Sequence, residues 1–562
     1  MEKKIFIYQL FPRLFGNNSK SNIKNGSLEE NGSGKFNDIT FELLVKLKNS
    51  GYTHIWYIGV IAHASTTDYT SYGIPQEYPE IIKGKAGSPY AIRDYYDVDP
   101  DLAEDVSMRM NEFEELISRT HKAGLKAIID NVPNHVARNY KSVSRPASVR
   151  DFGEDDDKSK AFSPQNNFYY LPSQALDIQL SSEKKVNFIY AEFPAKVTGN
   201  DCFTNKPTQY DWYETVKLNY GIDYQNGNTS YFNPIPNTWK KMKDILLYWA
   251  DKQVDGFRCD MAEMVPIEFW KWSIPQIKAK YPDIVFIAEI YNPSQYRNFL
   301  ERNCFDYLYD KVGLYDVLRD VSCGYRPSSD ISFTLNNVGD IQNKMLNFME
   351  NHDEQRIASD YFLKDGLKGK AAMILSCCVN KNPVMIYSGQ EFGERGMDEE
   401  GYSGKNGRTS IFDYWSVDTL RRWNNDGKWN HELLNSNERQ LSLFYSKLIT
   451  MCNEEKAISQ GLFYDLMQSN YDNQNFDSTR LFAFLRGFAD DVLLIIVNFD
   501  RLDKECALHI PEHAYTFLNK EVSSKSKLIP LLDNNDKEIE FSENQLIRIK
   551  IGAHSGNIFR LI

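Results

Sequence analysis

The chain has 562 residues, more than one ordinary domain accommodates, so two to four are expected. Its 42% hydrophobic and 25% charged content describes a folded, water-soluble protein, and a net charge of −12 argues against a phosphate-tracking surface and so against a nucleic-acid partner. Aromatic residues reach 14%, which suits rings that stack on sugars and suits a ring-filled core equally well.

The start, MEKKIFIYQLFPRLF, carries positive charge but no 7–15-residue apolar stretch before Arg13, so no secretory signal is read. IFIYQLFPR is the first expected strand, and the polar run NNSKSNIKNGSLEENGSGK (17–35) predicts a mobile loop. THIWYIGVI is the second strand. The next stretch, FEELISRTHKAGLKAIIDNVPNH (113–135), reads as an amphipathic helix with His121 and Lys122 in its last turn and Gly124 just beyond, then a buried strand closed by Asp130. About 100 polar and aromatic residues follow before the rhythm resumes, enough for a small subdomain over one face. WKKMKDILLYWADKQVDGFRCD then gives a helix and a strand ending at Asp260, and FWKWSIPQIKAKYPDIVFIAEIY gives a helix and a strand ending at Glu289. FDYLYD (305–310), KMLNFMENHD (344–353) and NPVMIYSGQE (382–391) complete a set of eight strands.

Strands alternating with helices imply a parallel sheet, and eight repeats point to a closed (β/α)8 TIM barrel of the α/β class. No GxGxxG follows the first strand, which weighs against a dinucleotide fold. After about residue 440 the pattern turns to hairpins, as in RLFAFLRGFADDVLLIIVNFD, and predicts a C-terminal antiparallel β-sandwich. The expected division is 1–135 and 226–438 for the barrel, 136–225 for the inserted subdomain after strand 3, and 439–562 for the sandwich. No apolar run approaches the 18–20 residues that span a bilayer, and the eight cysteines form no CxxC pair, so no membrane, zinc site or disulfide framework is read. A cytoplasmic location is the expectation, with oligomeric state unassigned.

Barrel chemistry sits at the C-terminal strand ends, where the carboxylates of this chain fall. Arg258 and Asp260 are two apart, hence on one face of a strand, either as a structural ion pair or as a charged nucleophile with its counter-ion. Glu289 emerges one unit later from the apolar IVFIA, with no cation beside it in sequence. Neighbouring strands are about 4.7–4.9 Å apart, nearer the 5–5.5 Å of retaining than the 6.5–9.5 Å of inverting glycoside hydrolases. The neighbours predict a lowered pKa for Asp260 and a raised one for Glu289. NHDEQR adds His352, Asp353 and Arg356 at another strand end, and His135 follows Asp130. Taken singly, each has an ordinary structural reading; together they place carboxylates at four strand ends on one face.

These residues resemble the α-amylase superfamily, glycoside hydrolase family 13, over essentially the whole chain. DNVPNH (130–135) resembles that family's first signature and GFRCDMAEM (256–264) its second; FIAEIY (286–291) carries the Glu of the third and ENHDEQR (350–356) the N-H-D of the fourth. VKLN (216–219), GSPYAIRDYYDVDPDL (87–102) and GRTSIFDYW (407–415) resemble it as well. The resemblance implies cleavage of α-glucosidic bonds, mainly α-1,4, in maltooligosaccharides or starch-derived glucans by double displacement with retention. Asp260 is then the nucleophile, Glu289 the acid/base and Asp353 the third acid; Arg258, His135 and His352 contact the same sugar, Tyr90 stacks beneath it, and Arg356 is a donor-side contact. A transglycosylase of the same superfamily and a non-catalytic glucan-binding protein are the alternatives. Where many starch-degrading members carry a Lys-His pair, this chain has Glu263 and Met264, which leaves acceptor-side binding open. Asn134 matches a residue that binds calcium in some members, so a structural calcium ion is admitted, while the chemistry calls for no cofactor.

Overall fold

The computed structural model describes residues 4–179, 189–301, 304–520, 525–532, 537–542 and 545–562. Eight short strands close into a barrel: β1 (Phe6–Leu10), β2 (His54–Tyr57), β3 (Lys126–Asn131), β4 (Gly256–Cys259), β5 (Val285–Ala288), β6 (Tyr307–Tyr309), β7 (Met345–Phe348) and β8 (Val384–Tyr387). They pair in parallel and in chain order, and β1 closes on β8 through Phe6↔Val384 to Gln9↔Tyr387. All eight expected strands are present. Covered by helices outside and filled by side chains inside, they read as apolar runs rather than alternating ones, which made them legible.

Register places the polar residues. Arg258 pairs with Asp130 of β3 and Ile287 of β5, so the guanidinium rises between the two strands flanking β4. Asp260 follows the end of β4, and the β4–β5 ladder continues as Glu289 N–H donates to the Cys259 carbonyl at 3.1 Å. The two carboxylates thus stand on adjacent strand tops.

Most of the inserted segment is irregular and is pinned by short pairings. His135–Ala137 runs antiparallel to Thr215–Lys217, bringing the VKLN stretch against the residues after β3. Residues 180–188 of the predicted insert lie outside the described residues.

Two expectations need correction. The predicted mobile loop at 17–35 is built into the structure: Ser27 and Glu30 form a reciprocal capping box on a one-turn helix, Leu28–Asn31. Within it Asn17 and Asn31 are buried and donate to the Trp415 and Tyr414 carbonyls, so its polarity serves backbone satisfaction. The expected start of the last domain at residue 439 falls inside a 19-residue helix, Ser436–Glu454, whose Asn435/Glu438 capping box fixes its start. The C-terminal strands begin at Leu462; among the described residues they form a six-stranded antiparallel sheet and a separate two-stranded one. The apolar run AAMILSCC belongs to a helix, Lys370–Cys378, that packs on β7 and on two C-terminal strands. Covered on both sides, it is buried throughout from Ala371 to Cys378.

Candidate active site

At the C-terminal end of the barrel a cavity of ≈ 340 Å³ opens between the strand tops and the inserted segment. Asp260, Glu289, Asp353, Tyr90 and His135 line it, as expected from the sequence. A larger polar cavity of ≈ 500 Å³, beside the start of helix Ser436–Glu454, shares no residue with them, so size alone does not mark the site.

Arg258 organises the cluster from below. It is fully buried, and its guanidinium is framed by the rings of Trp56, Tyr90 and Tyr309 at 5.3, 5.4 and 5.5 Å. Nη1 donates to Asp260 Oδ1 at 2.8 Å and to Asp130 Oδ1 at 3.3 Å. Nη2 makes an ion-pair contact with Glu289 Oε2 at 2.7 Å, without aligned hydrogen-bond geometry. One cation therefore serves three carboxyls. The expectation that Arg258 holds Asp260 low is overturned. Burial pushes the Asp260 carboxyl well above its usual range; Arg258 opposes this, while Glu289, Asp130 and Asp353 reinforce it. Glu289 has no cation beside it in sequence, but the fold supplies one from β4, Arg258.

Glu289 is tied at both oxygens. Met261, in a left-handed conformation (φ 42°), aims its N–H at Oε2 from 2.8 Å, and the Tyr291 hydroxyl donates to Oε1 at 2.6 Å. Asp353 behaves oppositely to Asp260. Burial raises it, but His352, with Nε2 3.0 Å away, together with Arg258 and Arg408, brings its pKa down to about 2. His352 lies behind the cavity wall, stacked on Tyr90 with its Nε2 2.6 Å from the tyrosine hydroxyl and its Nδ1 2.9 Å from Gln9 Nε2 of β1. It touches Tyr90 and Asp353, which line the cavity, and does not line the cavity itself. Burial, with Lys217 and Lys83 near, lowers His135 to about 3, so this imidazole is neutral.

Arg356 is placed elsewhere. It is 1% exposed and stacks 3.8 Å over Tyr387, and its donors go to Glu350, the Ser388 carbonyl and Thr409. Its motif position made it resemble a donor-side contact; the chain turns it into the interior, where it neutralises buried Glu350.

Sequence reasoning did not single out Lys83, Trp212, Glu214, Tyr291 and Phe412, which line the cavity too. Trp212 and Glu214 sit in the aromatic insert run and Phe412 in a quoted motif, but nothing there assigned single residues. Lys83 reaches Glu214 at 2.8 Å from a loop without any signal.

A calcium ion does not fit at Asn134. Its Oδ1 accepts from the buried ammonium of Lys217 at 2.9 Å, and Lys217 pairs with Asp201 at 2.5 Å. A positive charge of the chain's own already holds both oxygens, and among the described residues no cluster of three or more His, Cys, Asp or Glu is arranged for a metal.

Comparison with known proteins identifies the family and the fold. Residues 9–461 match the family described as alpha amylase, catalytic domain. Alpha-amylase 3 of Dictyoglomus thermophilum is 22% identical over 466 residues, covering 78% of this chain and 80% of that one. A cyclomaltodextrinase of Thermoanaerobacter pseudethanolicus is 21% identical over 96% of this chain and 75% of its own. The fold is similar to that of the maltogenic alpha-amylase AmyB from Thermotoga neapolitana, with a TM-score of 0.63 at 18% identity and 100% and 99% of the two chains covered. A barrel of this topology, carboxyls at adjacent strand tops and a family match across most of the sequence lead to one conclusion: the chain belongs to the alpha-amylase family and is a glycoside hydrolase.

Proposed function

We propose that the protein cleaves α-glucosidic bonds, mainly α-1,4, in maltooligosaccharides or starch-derived glucans by double displacement with retention. The observation that carries this reading is the bridging of Asp260 and Glu289 by a single guanidinium, which keeps the two carboxyls within one Arg side chain's span on adjacent strands. Asp260 attacks the anomeric carbon. Glu289 gives its proton to the departing oxygen and then takes one from the incoming water. Asp353, ionised beside His352, grips the hydroxyls of the same sugar, Tyr90 stacks on its face, and neutral His135 hydrogen-bonds it. Three carboxyls share one guanidinium, and burial with the neighbouring acids raises Asp260; the positive charge growing at the anomeric carbon then favours ionised Asp260 in the transition state.

No calcium at Asn134 and no other cofactor enter this scheme. The eight cysteines are free thiols, which supports a reducing, cytoplasmic setting, and no helix among the described residues is long and apolar enough to cross a membrane. The test is a maltoheptaose time course that resolves products by size and follows the released anomer by NMR, with Asp260→Asn alongside. Shorter products released first as the α-anomer are expected. Early β-anomer refutes retention, and early products longer than the substrate favour glycosyl transfer. No turnover, with cleavage of α-1,6-linked or cyclic glucans instead, refutes the α-1,4 preference.

A further inference from the structure

Glu263 stands where many starch-degrading members carry the lysine of a Lys-His pair, and the structure gives it other work. It lies in the short turn Ala262–Met264 after β4, and its carboxylate crosses to the loop above β5. Oε1 accepts the Tyr291 amide at 3.2 Å and Oε2 the Asn292 amide at 3.1 Å. The loop so held carries Tyr291, whose hydroxyl donates to Glu289 Oε1. Arg258 and the Met261 amide engage Oε2, and Tyr291 is the Oε1 partner that lines the cavity. A leaving-group oxygen therefore meets Glu289 beside the Tyr291 hydroxyl.

We propose that Tyr291, fixed by Glu263, is a positioning residue for proton transfer from Glu289 to the leaving group. This rests on the assignment of Glu289 as acid/base. As the proton passes from Glu289 to the glycosidic oxygen, the carbon–oxygen bond breaks, Asp260 bonds to the anomeric carbon, and Glu289 is left as a carboxylate. The Tyr291 hydrogen bond is then charge-assisted, hence stronger in the transition state than with the neutral acid. Burial and the charges of Glu289 and Asp353 push the Tyr291 phenol up, so it remains a donor throughout. Arg258, Asp260, Asp353 and Tyr309 are the other charged or titratable groups facing Glu289.

The test compares maltoheptaose, whose leaving group needs a proton, with α-maltosyl fluoride, whose leaving group does not; the readouts are kcat and KM on the first and first-turnover fluoride release on the second. Glu289→Ala controls the underlying assignment: it should lose maltoheptaose turnover at least 1000-fold, on the order of a lost catalytic acid, and still release fluoride. Equal loss on both substrates by that control would fault the assignment itself. Tyr291→Phe should lower kcat on maltoheptaose about 10–100-fold with KM within about twofold, and leave fluoride release within about twofold of wild type. Glu263→Gln, which keeps the bulk but only one acceptor oxygen, should show the same pattern at about 3–10-fold. If Tyr291→Phe slows both substrates equally, the residue is merely structural; if it slows neither, the hydrogen bond is idle. Either result overturns the proposal.

Discussion

Asp260→Asn should destroy turnover and at the same time make the protein more stable. Asp260 is 6% exposed and shares Arg258 with two other acids, so the folded state resists its ionisation. Asparagine keeps the shape and an oxygen for Arg258 Nη1 but removes a buried negative charge. Relief of such a site is worth about 1–3 kcal/mol. Unfolding entropy grows with length, so each kcal/mol moves the melting temperature by about 1 °C in a chain this long, giving a rise of about 1–3 °C. The sign with pH follows from the raised folded-state pKa. Below the unfolded pKa the wild-type carboxyl is protonated in both states and costs nothing; the penalty develops as pH rises through the folded value. Melting curves of both proteins at pH 4, 6 and 8 should therefore show a gap that opens with pH, with kcat down about 10⁴-fold or more. A variant less stable at pH 8, or a gap that widens on acidification, would refute the picture of three acids competing for one cation.

The same group sets the acid limb of kcat/KM, which should lie above the ordinary carboxylate range near 4, because Asp260 must lose its proton to attack; a limb at or below pH 4 contradicts this. Chelation with EDTA should leave the wild-type melting temperature unchanged, whereas Lys217→Met, which orphans Asn134 Oδ1, should cost about 2–3 kcal/mol; a fall in melting temperature with EDTA alone counts against the Lys217 assignment. Arg356→Met strands Glu350, whose carboxyl burial already pushes up to about 7, and should destabilise by about 3–5 kcal/mol with KM within about twofold; unchanged stability with a raised KM restores Arg356 as a substrate contact.

The barrel was legible because a strand covered on both faces must be apolar along its length, and eight such runs alternating with helices admit few arrangements. Asp260, Glu289 and Asp353 were legible because each terminates such a run. What escaped were properties set between segments. The neighbour that matters for Glu289 is Arg258, on another strand, and the proton affinities depend on burial that no local window reports. Arg356 shows the converse: its place in a motif was visible, but which way the chain turns after Asp353 was not. Segment 17–35 is polar without aromatics and closes on the backbone of Tyr414 and Trp415, while 203–215 is rich in aromatics and supplies cavity residues, but neither composition says which partner the chain will meet.

The helix Lys370–Cys378 bears on how this enzyme can be divided. From Ala371 to Cys378 its side chains are apolar or thiol except Ser376, and that stretch has no surface suited to water. Part of its cover comes from two C-terminal strands, so a barrel cut free at Leu462 would display a sticky flank and invite self-association. Engineering by module exchange should accordingly treat barrel and C-terminal sheets as a single inheritance, grafted together or left alone.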